Sequence, residues 1–227
     1  VEDGGKFYVT ETQKNIGRVH EIAQPLLDGL FAQWDNRSVA ETGWATYLPA
    51  GKPMPAETPM PKLPQLNFRD TRRADHGGKD ARGGFSLDLW LQLDRLAAGQ
   101  PLLDSRDETG AGVLVSTTES GTISVALHDG RQQTSWDCDR GDLQSGKLHH
   151  VVITVDGGPK IITFVVDGVL CDGGEHRQFG WGRFSPTLRT PTGTATLKIA
   201  PAVKSLRIYS RALRTSEAVG SFHAGTK

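Results

Sequence analysis

The chain is patterned as a series of short strands. Apolar and β-branched residues alternate, or run continuously, over short stretches between glycine-rich breaks, and almost no long segment repeats its apolar positions at helical spacing. This pattern predicts an all-β body. The predicted strands are Phe85–Leu93, Gly112–Ser116, Thr122–Leu127, His149–Val155, Ile161–Val166, Thr194–Ile199 and Val203–Tyr209.

The connections between these strands favour antiparallel pairing. Asp156-Gly157 and Asp167-Gly168 each follow a predicted strand, and Asp-Gly pairs tolerate the positive φ angles of tight hairpin turns. Parallel strands would need crossovers of a dozen or more residues, usually helical. The expected fold is therefore an all-β, two-sheet antiparallel sandwich of the jelly-roll type.

Two segments differ from this body. Val1–Leu30 reads as two short strands and the start of a helix over Pro25–Trp34, and it is too short to bury a core of its own. It is expected to be an appendage, or the tail of a preceding domain, that docks its apolar side chains on the sandwich or on a missing domain. Residues 31–227 form the predicted jelly-roll domain, and its proline-rich segment 49–64 is expected to be extended and semi-rigid.

Composition and charge narrow the function classes. Lys plus Arg number 26 and Asp plus Glu number 26, so the net charge is zero, and neither nucleic acid nor an anionic membrane is expected as a partner. The mean hydropathy is −0.38, and no apolar run approaches the roughly 20 residues of a membrane helix. The start at Val1 has no secretion-signal pattern, which is expected of a mature protein or a fragment cut from a longer one.

Three blocks of the sequence stand out, namely Phe85–Leu91, Gly146–Val152 followed by Phe164–Val169, and Ser205–Arg214 with Glu217. Together and in this order they resemble the laminin-G-like, concanavalin A-like jelly-roll superfamily. Leu148 stands where the family usually has Trp, an exchange of one apolar group for another. The resemblance implies the fold, but it implies function only weakly, because this fold hosts lectins, adhesion modules and glycosidases.

A fainter resemblance concerns the first residues. The segment 5–14 with His20–Ile22 looks like the closing segment of a sialidase-type propeller in a bacterial glycoside hydrolase. No Asp-box of the S-x-D-x-G-x-x-W type supports it. The chain would then be the C-terminal module of such an enzyme.

These resemblances lead to one leading interpretation and two alternatives. The leading one is a non-catalytic carbohydrate-binding or adhesion-type module of an extracellular bacterial protein, secreted or periplasmic and attached to a glycoside hydrolase. Its partners would be a glycan or polysaccharide and a neighbouring domain of the same polypeptide. The alternatives are a purely structural accessory domain and a glycoside hydrolase in its own right.

Catalytic patterns are scarce. A retaining glucanase of this fold would carry E-x-D-x-x-E on one strand, and no glutamate begins that pattern. Asp88 and Asp94 share a predicted strand face, but Asp88 follows the buried-looking Phe85 and Asp94 starts a turn. His149 and His150 are adjacent, so on a strand they point to opposite faces and are expected to be structural. Whether the chain is an enzyme stays open.

The candidate carbohydrate-binding residues lie in a glycine-rich stretch. Trp181 stands between two glycines in a predicted loop, with His176, Arg177 and Arg183 as nearby donors, of which His176 and Arg183 are the candidate site residues. A sugar ring stacks its apolar side on an aromatic face and needs a few placed polar groups. The alternative is that Trp181 and Phe184 cap one open end of the sandwich.

A candidate calcium site lies in the acidic segment 104–110. Asp104 and Asp107 could supply the oxygen ligands that Ca²⁺ prefers, and the family resemblance adds that many laminin-G-like domains carry calcium at a rim. No EF-hand spacing is present, and Arg106 could neutralise either carboxylate. A solvated turn is the alternative.

The two cysteines are the last candidate pair. Cys138 and Cys171 each lie just past a predicted strand, in loops on either side of the central hairpin. If the loops meet, a disulfide would contribute about 3–4 kcal/mol by restricting the unfolded chain. The alternative is two buried thiols.

Overall fold

A computed structural model describes residues 1–13, 16–66 and 83–226. The strands, in chain order, are β1 (Glu2–Asp3), β2 (Lys6–Gln13), β3 (Ile16–Ile22), β4 (Trp44–Leu48), β5 (Glu57–Pro59), β6 (Gly84–Gln92), β7 (Pro101–Asp104), β8 (Gly112–Thr117), β9 (Ile123–His128), β10 (Gln133–Asp137), β11 (Leu148–Asp156), β12 (Ile161–Val166), β13 (Val169–Leu170), β14 (Trp181–Arg183), β15 (Thr196–Ile199) and β16 (Val203–Tyr209). The helices are α1 (Gln24–Phe31) and α2 (Thr215–Ala224), and a 3-10 turn spans Ala32–Asp35. Among the described residues, no helix has the length and apolar character needed to cross a membrane.

The chain forms two compact units, Val1–Asn36 and Arg37–Lys227. The first unit contains the antiparallel sheet β1-β2-β3, α1 and the 3-10 turn. The predicted division after residue 30 lies within α1. Several apolar side chains of this unit are exposed, among them Leu26, Phe31 and Trp34. The docking expected of this segment stays a prediction.

The second unit is the predicted antiparallel sandwich. One sheet has the strand order β10-β9-β8-β7-β15-β5, and the other has the order β13-β12-β11-β6-β16-β4 with β14 also paired to β12. All of these pairs are antiparallel, which confirms the predicted fold class. Ile161–Val166 and Val203–Tyr209 have the predicted bounds.

The main core lies between the two sheets. Alternate residues of the strands point inward, so Val151, Ile153 and Val155 are buried in one cluster with residues such as Phe85 and Leu127. The residues between them are buried as well, on the opposite face of the same sheet. That face is covered by α2, so the run 151–155 is apolar almost throughout.

Helix α2 was not predicted from the sequence. It begins after Arg214, whose backbone N–H donates to the Glu217 carboxylate at 2.8 Å. Its residues Ala218 and Val219 pack on Val152 and on the other apolar residues of the second buried cluster. A single helix of the second unit thus covers the seven-stranded sheet. The outer face of the six-stranded sheet has no covering helix from the described part of this unit.

The proline-rich segment forms more structure than expected. Its residues 57–59 are β5, which pairs with β15 at the edge of the six-stranded sheet. Pro59 lies at the end of this edge strand, a position where the missing N–H costs no ladder bond. The expectation of an extended backbone is correct for these residues, and pairing with β15 fixes them.

Candidate functional site

The open face of the six-stranded sheet carries a row of side chains that face outward together. The register pairs Asp104 with Leu114, Leu114 with Ala126, and Ala126 with Ser135. Their neighbours along the strands, such as Val113, are buried in the core. Since strand residues alternate between faces, the row lies on the outer face.

A pocket of about 310 Å³ lies on this open face. Gly110, Gly112 and Ala126 are small, which leaves room between the larger side chains around them. We call this cavity the open-face pocket. Besides two glycines, its lining residues are Arg106, Thr109, Leu114, Ala126, His128 and Gln133.

One glycine brings the 105–110 loop over the start of β8. Gly112 has a φ of 136°, and a Cβ at this position would lie 2.7 Å from the Ser105 carbonyl oxygen. Any other residue would push the loop away from the strand. The close approach places Arg106 and Thr109 beside the floor formed by Leu114.

The imidazole of His128 is the most unusual polar group of the open-face pocket. Its Nδ1 atom is shielded from solvent and has no hydrogen-bond partner among the described residues. Buried polar atoms in proteins are nearly always paired. The imidazole ring lines the open-face pocket, but this ring nitrogen is not itself exposed to the pocket's solvent.

The two predicted calcium ligands are engaged by the protein itself. Asp104 accepts hydrogen bonds from Arg106, from Nε at 3.0 Å and from Nη2 at 2.8 Å, and these bonds hold the pKa of Asp104 below its ordinary value. Asp107 accepts from the Thr109 hydroxyl at 2.7 Å and from the backbone N–H of Ala111 at 3.0 Å. The hydrogen bond from Thr109 is the main cause of the lowered pKa of Asp107. This geometry supports the turn interpretation, and calcium at these residues stays a prediction.

A second group of metal-ligand atoms occurs in the part of the chain that the structure describes. The ligand atoms of Asp139, Asp142 and Cys171 lie within 4.8 Å of one another. Asp139 accepts from Arg177 at 2.6 Å, and the Cys171 thiol lies 3.5 Å from an Asp142 oxygen. These contacts explain the arrangement without an ion, and a thiol is a poor ligand for calcium.

The loops of the two cysteines meet, as the disulfide hypothesis required. Asp139 accepts hydrogen bonds from the backbone N–H groups of Asp172 and Gly173 at 2.8 and 2.9 Å. Cys138 and Cys171 are both buried free thiols in the structure, so the predicted bridge is not formed in it and the alternative of two buried thiols is observed. Burial raises the pKa of Cys138 to about 12 and raises that of Cys171 as well. A disulfide in solution stays a prediction.

Trp181 lies on a strand rather than in the predicted loop. It is the first residue of β14 and pairs with Thr163 of β12. A side chain at Gly182 would overlap the ring of Trp136, so Gly182 faces inward. Trp181 and Arg183 on either side of it therefore face outward.

Trp181 and two neighbouring side chains form a partly exposed group that we call the aromatic platform. It consists of Phe179, Trp181 and Arg183. The rings of Phe179 and Trp181 are stacked, with centroids 4.9 Å apart and planes 28° apart. The Arg183 guanidinium lies 5.2 Å from the centroid of the Trp181 ring. Phe179, which the sequence reasoning missed, is 47% exposed, whereas Phe184 is buried and belongs to the core as the alternative required.

The structure separates the roles of the two polar residues before the platform. His176 is exposed, and its side chain makes no hydrogen bond or ion pair within the described residues. Arg177, which the sequence analysis names as a nearby donor, binds Asp137 at 2.9 Å and Asp139 at 2.6 Å. Its guanidinium also lies 4.5 Å from the centroid of Trp136. Arg177 thus holds the 171–180 loop against β10.

The adjacent histidines are structural, which confirms the expectation. His149 Nδ1 lies 2.8 Å from the Asp167 carboxylate, and His150 Nε2 lies 3.0 Å from Asp88. Both imidazoles are buried. Asp88 itself is buried beneath α2, while Asp94 is exposed, so these two carboxylates do not share a cleft.

Comparisons with known proteins agree with this architecture. A family model for the concanavalin A-like lectin/glucanases superfamily matches residues 71–218. The CBM40 module of the Ruminococcus gnavus IT-sialidase, bound to α2,6 sialyllactose, is 12% identical over 79% of this chain and all of that chain, with a TM-score of 0.52.

Two further solved structures are similar over part of the chain. A leech intramolecular trans-sialidase is 14% identical over 62% of this chain and 23% of its own, with a TM-score of 0.48. The botulinum neurotoxin serotype D binding domain is 15% identical over 63% and 37%, with a TM-score of 0.46. No curated protein sequence matches the chain. The matched residues and the sandwich show that this chain belongs to the concanavalin A-like lectin/glucanases superfamily.

Proposed function

We propose that the chain is a non-catalytic carbohydrate-binding module whose ligand occupies the open-face pocket. The observation that carries this proposal is the pocket's chemistry, with an apolar floor of Leu114 and Ala126 and a polar rim that includes His128 and Gln133. A sugar ring has an apolar C–H face and a ring of hydroxyl groups. Such a ligand matches a concave site that combines apolar walls with a few placed polar groups.

The superfamily and one similar structure support a glycan as the ligand class. The Ruminococcus gnavus module, which shares the fold of this chain, is bound to a sialylated sugar. Its identity of 12% carries no residue of its site to this chain. The identity of the glycan must therefore be argued from the residues present here.

The aromatic platform is proposed as a second glycan contact, with Trp181, His176 and Arg183 as first predicted. Because Phe179 and Arg183 pack against Trp181, the exposed ring of Phe179 is the surface that a sugar would meet first. His176 is exposed beside this region and is the weaker contributor. Stacking supplies most of the binding in such a contact.

We further propose that the module is secreted or periplasmic and attached to a glycoside hydrolase. A second role, as a structural accessory domain packed on a neighbour, is favoured by a separate observation. Leu26 and Phe31 of the first unit are 68% and 72% exposed, and exposed apolar groups close in sequence are typical of an interface. The two roles are compatible within one polypeptide.

Glycan-array binding and affinity electrophoresis of the intact chain test the proposal. Ala126→Trp fills the floor of the open-face pocket and should abolish retention by the glycan that binds. Val169→Trp places the same bulk on an exposed edge strand of the other sheet and should leave retention unchanged. Equal retention of the parent and the Ala126→Trp variant would reject the pocket, and no binding by the parent would reject the function.

A further inference from the structure

We infer that the open-face pocket selects uncharged sugar rings over carboxylated ones. The inference rests on the proposed function, and it concerns the charge of the ligand. It follows from the ion pair between Asp104 and the pocket-lining Arg106, and from the other carboxylates near the pocket.

Arg106 is the only guanidinium among the groups that line the pocket within the described residues. Asp104 binds it through two side-chain contacts at 3.0 and 2.8 Å and also accepts its backbone N–H at 2.9 Å. Lys198 is paired in register with Asp104 on the neighbouring strand. A ligand carboxylate would have to compete with Asp104 for Arg106, because Asp104 already takes hydrogen bonds from Nε and Nη2 and compensates the charge of the guanidinium.

Two further carboxylates, Asp107 and Asp129, lie near His128 and are held by hydrogen bonds. Asp107 is held by Thr109, as described above. Asp129 accepts backbone N–H bonds from Arg131 at 2.9 Å, Gln132 at 2.8 Å and Arg189 at 2.8 Å. The side chains of these two arginines are not among the pocket-lining groups.

Both carboxylates are ionised at neutral pH. Burial alone would raise the pKa of Asp129, but its three backbone hydrogen bonds and the nearby imidazole hold it below the ordinary value. The same imidazole also helps to lower the pKa of Asp107. A negatively charged ligand beside His128 would therefore meet two fixed negative charges.

The remaining groups suit an uncharged ring. Thr109 and Gln133 offer a neutral hydroxyl and a neutral amide for hydrogen bonds. Leu114 and Ala126 offer an apolar floor. A volume of about 310 Å³ is at the lower end of small-molecule sites, which span about 300–1,000 Å³, so one terminal ring fits better than a long segment.

Matched sugar pairs test the inference because the two members differ only at C6, where a neutral hydroxymethyl group is replaced by a carboxylate. The probes are methyl β-D-galactopyranoside against its galacturonate, and methyl β-D-glucopyranoside against its glucuronate, titrated into the intact ¹⁵N-labelled chain. We expect the better-binding pair to favour the neutral member at least tenfold. Amide shifts should change in the segments 106–112 and 126–133.

Charge variants provide the second arm. Asp104→Asn releases Arg106 and should reduce the neutral-over-acidic preference at least fivefold, whereas Asp94→Asn removes an exposed carboxylate elsewhere and should leave it unchanged. Arg106→Gln should change acidic-sugar binding less than twofold. This variant keeps the inference testable if Asp104→Asn does not fold.

The outcomes separate the inference from the proposed function. Equal or tighter binding of the acidic members, with shifts at the pocket, would overturn the charge selection and leave carbohydrate binding intact. Loss of acidic-sugar binding in Arg106→Gln would overturn it as well, because it would identify an anion site. If no probe and no array glycan binds, the proposed function itself fails.

Discussion

Replacing Asp88 by Asn should destabilise the protein by breaking a buried charge network under α2. The Asp88 side chain is fully buried. It accepts hydrogen bonds from His150 Nε2 at 3.0 Å and from the Ser221 hydroxyl of α2, and Arg207 Nη1 lies 3.6 Å away. Asn keeps the shape but removes the negative charge that compensates a buried guanidinium.

These contacts determine how much unfolding free energy the Asp88→Asn variant should lose. Breaking a buried ion pair by removing one partner costs about 3–5 kcal/mol, and Asn retains one acceptor for Ser221, so we expect the lower end, about 3 kcal/mol. Because domains of this size are stable by roughly 5–15 kcal/mol, the Asp88→Asn variant should still fold. The loss should appear mainly as weakened docking of α2.

The stability difference between the parent and the Asp88→Asn variant should decrease as the pH is lowered. Burial raises the pKa of Asp88, but the hydrogen bonds from His150 and Ser221 and the charge of Arg207 outweigh it, so the folded-state pKa is lowered. Because its pKa is lowered in the folded state, ionised Asp88 stabilises the fold at pH values above its unfolded pKa of about 3.9. This stabilisation is lost as the pH falls through the folded-state pKa. The difference between parent and variant should therefore be largest near pH 7 and shrink below about pH 4.

Urea denaturation followed by tryptophan fluorescence at pH 7, 5 and 3 measures this difference. Asp94→Asn, which removes an exposed carboxylate just beyond the same strand, is the matched control and should change stability by less than about 0.5 kcal/mol. If the two variants unfold at the same urea concentration at pH 7, the network does not stabilise α2. A difference that stays constant down to pH 3 would refute the pKa argument.

Three further predictions concern the aromatic platform, the two cysteines and the first unit. Trp181→Ala should cost about 1–3 kcal/mol, from one aromatic pair and one cation–π contact, and should remove glycan retention at the platform; a loss above about 3 kcal/mol in thermal melting would place Trp181 in the core. We predict that Cys138 and Cys171 form a disulfide in solution, so thiol titration in denaturant without reductant should find no free thiol, and two thiols would reject the bridge. Deleting residues 1–30 should lower Tm or solubility, and an unchanged melting curve would contradict the expected docking of Leu26 and Leu30.

The fold was predictable because its signals are local. The alternation within 85–93 and 149–166 and the Asp-Gly turns define strands and their antiparallel pairing without knowledge of the rest of the chain. Helix α2 has no comparable signal, because its sequence contains few apolar residues and its packing on Val152 and Tyr209 supplies the stabilisation. The two-residue strand β13 and the three-residue β14 exist only through their pairing with β12.

The site was harder to predict because it depends on register. Gly112 and His128 are 16 residues apart and become neighbours through pairing of β8 with β9, and Gln133 joins them through the turn between β9 and β10. The sequence did contain one signal of this face. In β9, small or polar residues at the outward positions Ser124, Ala126 and His128 alternate with buried apolar residues. The position of Trp181 between two glycines made it a candidate from the sequence alone. The same spacing does not predict that Gly182 packs inward on Trp136.

The unequal covering of the two sheets limits where one ligand can bind. Helix α2 and the Asp88 network occupy the centre of the seven-stranded sheet, so on that face the aromatic platform lies at the uncovered edge, on β14. The open-face pocket lies on the other sheet, and the two sheets meet where Trp136 of β10 packs on Gly182 and donates to the Gly180 carbonyl at 3.3 Å. A glycan that touches both sites must therefore turn around this edge, whereas separate ligands need not. If one glycan spans both sites, Ala126→Trp and Phe179→Ala should each weaken binding of that same glycan. If the ligands are separate, each variant should lose only the ligand of its own site and keep the other.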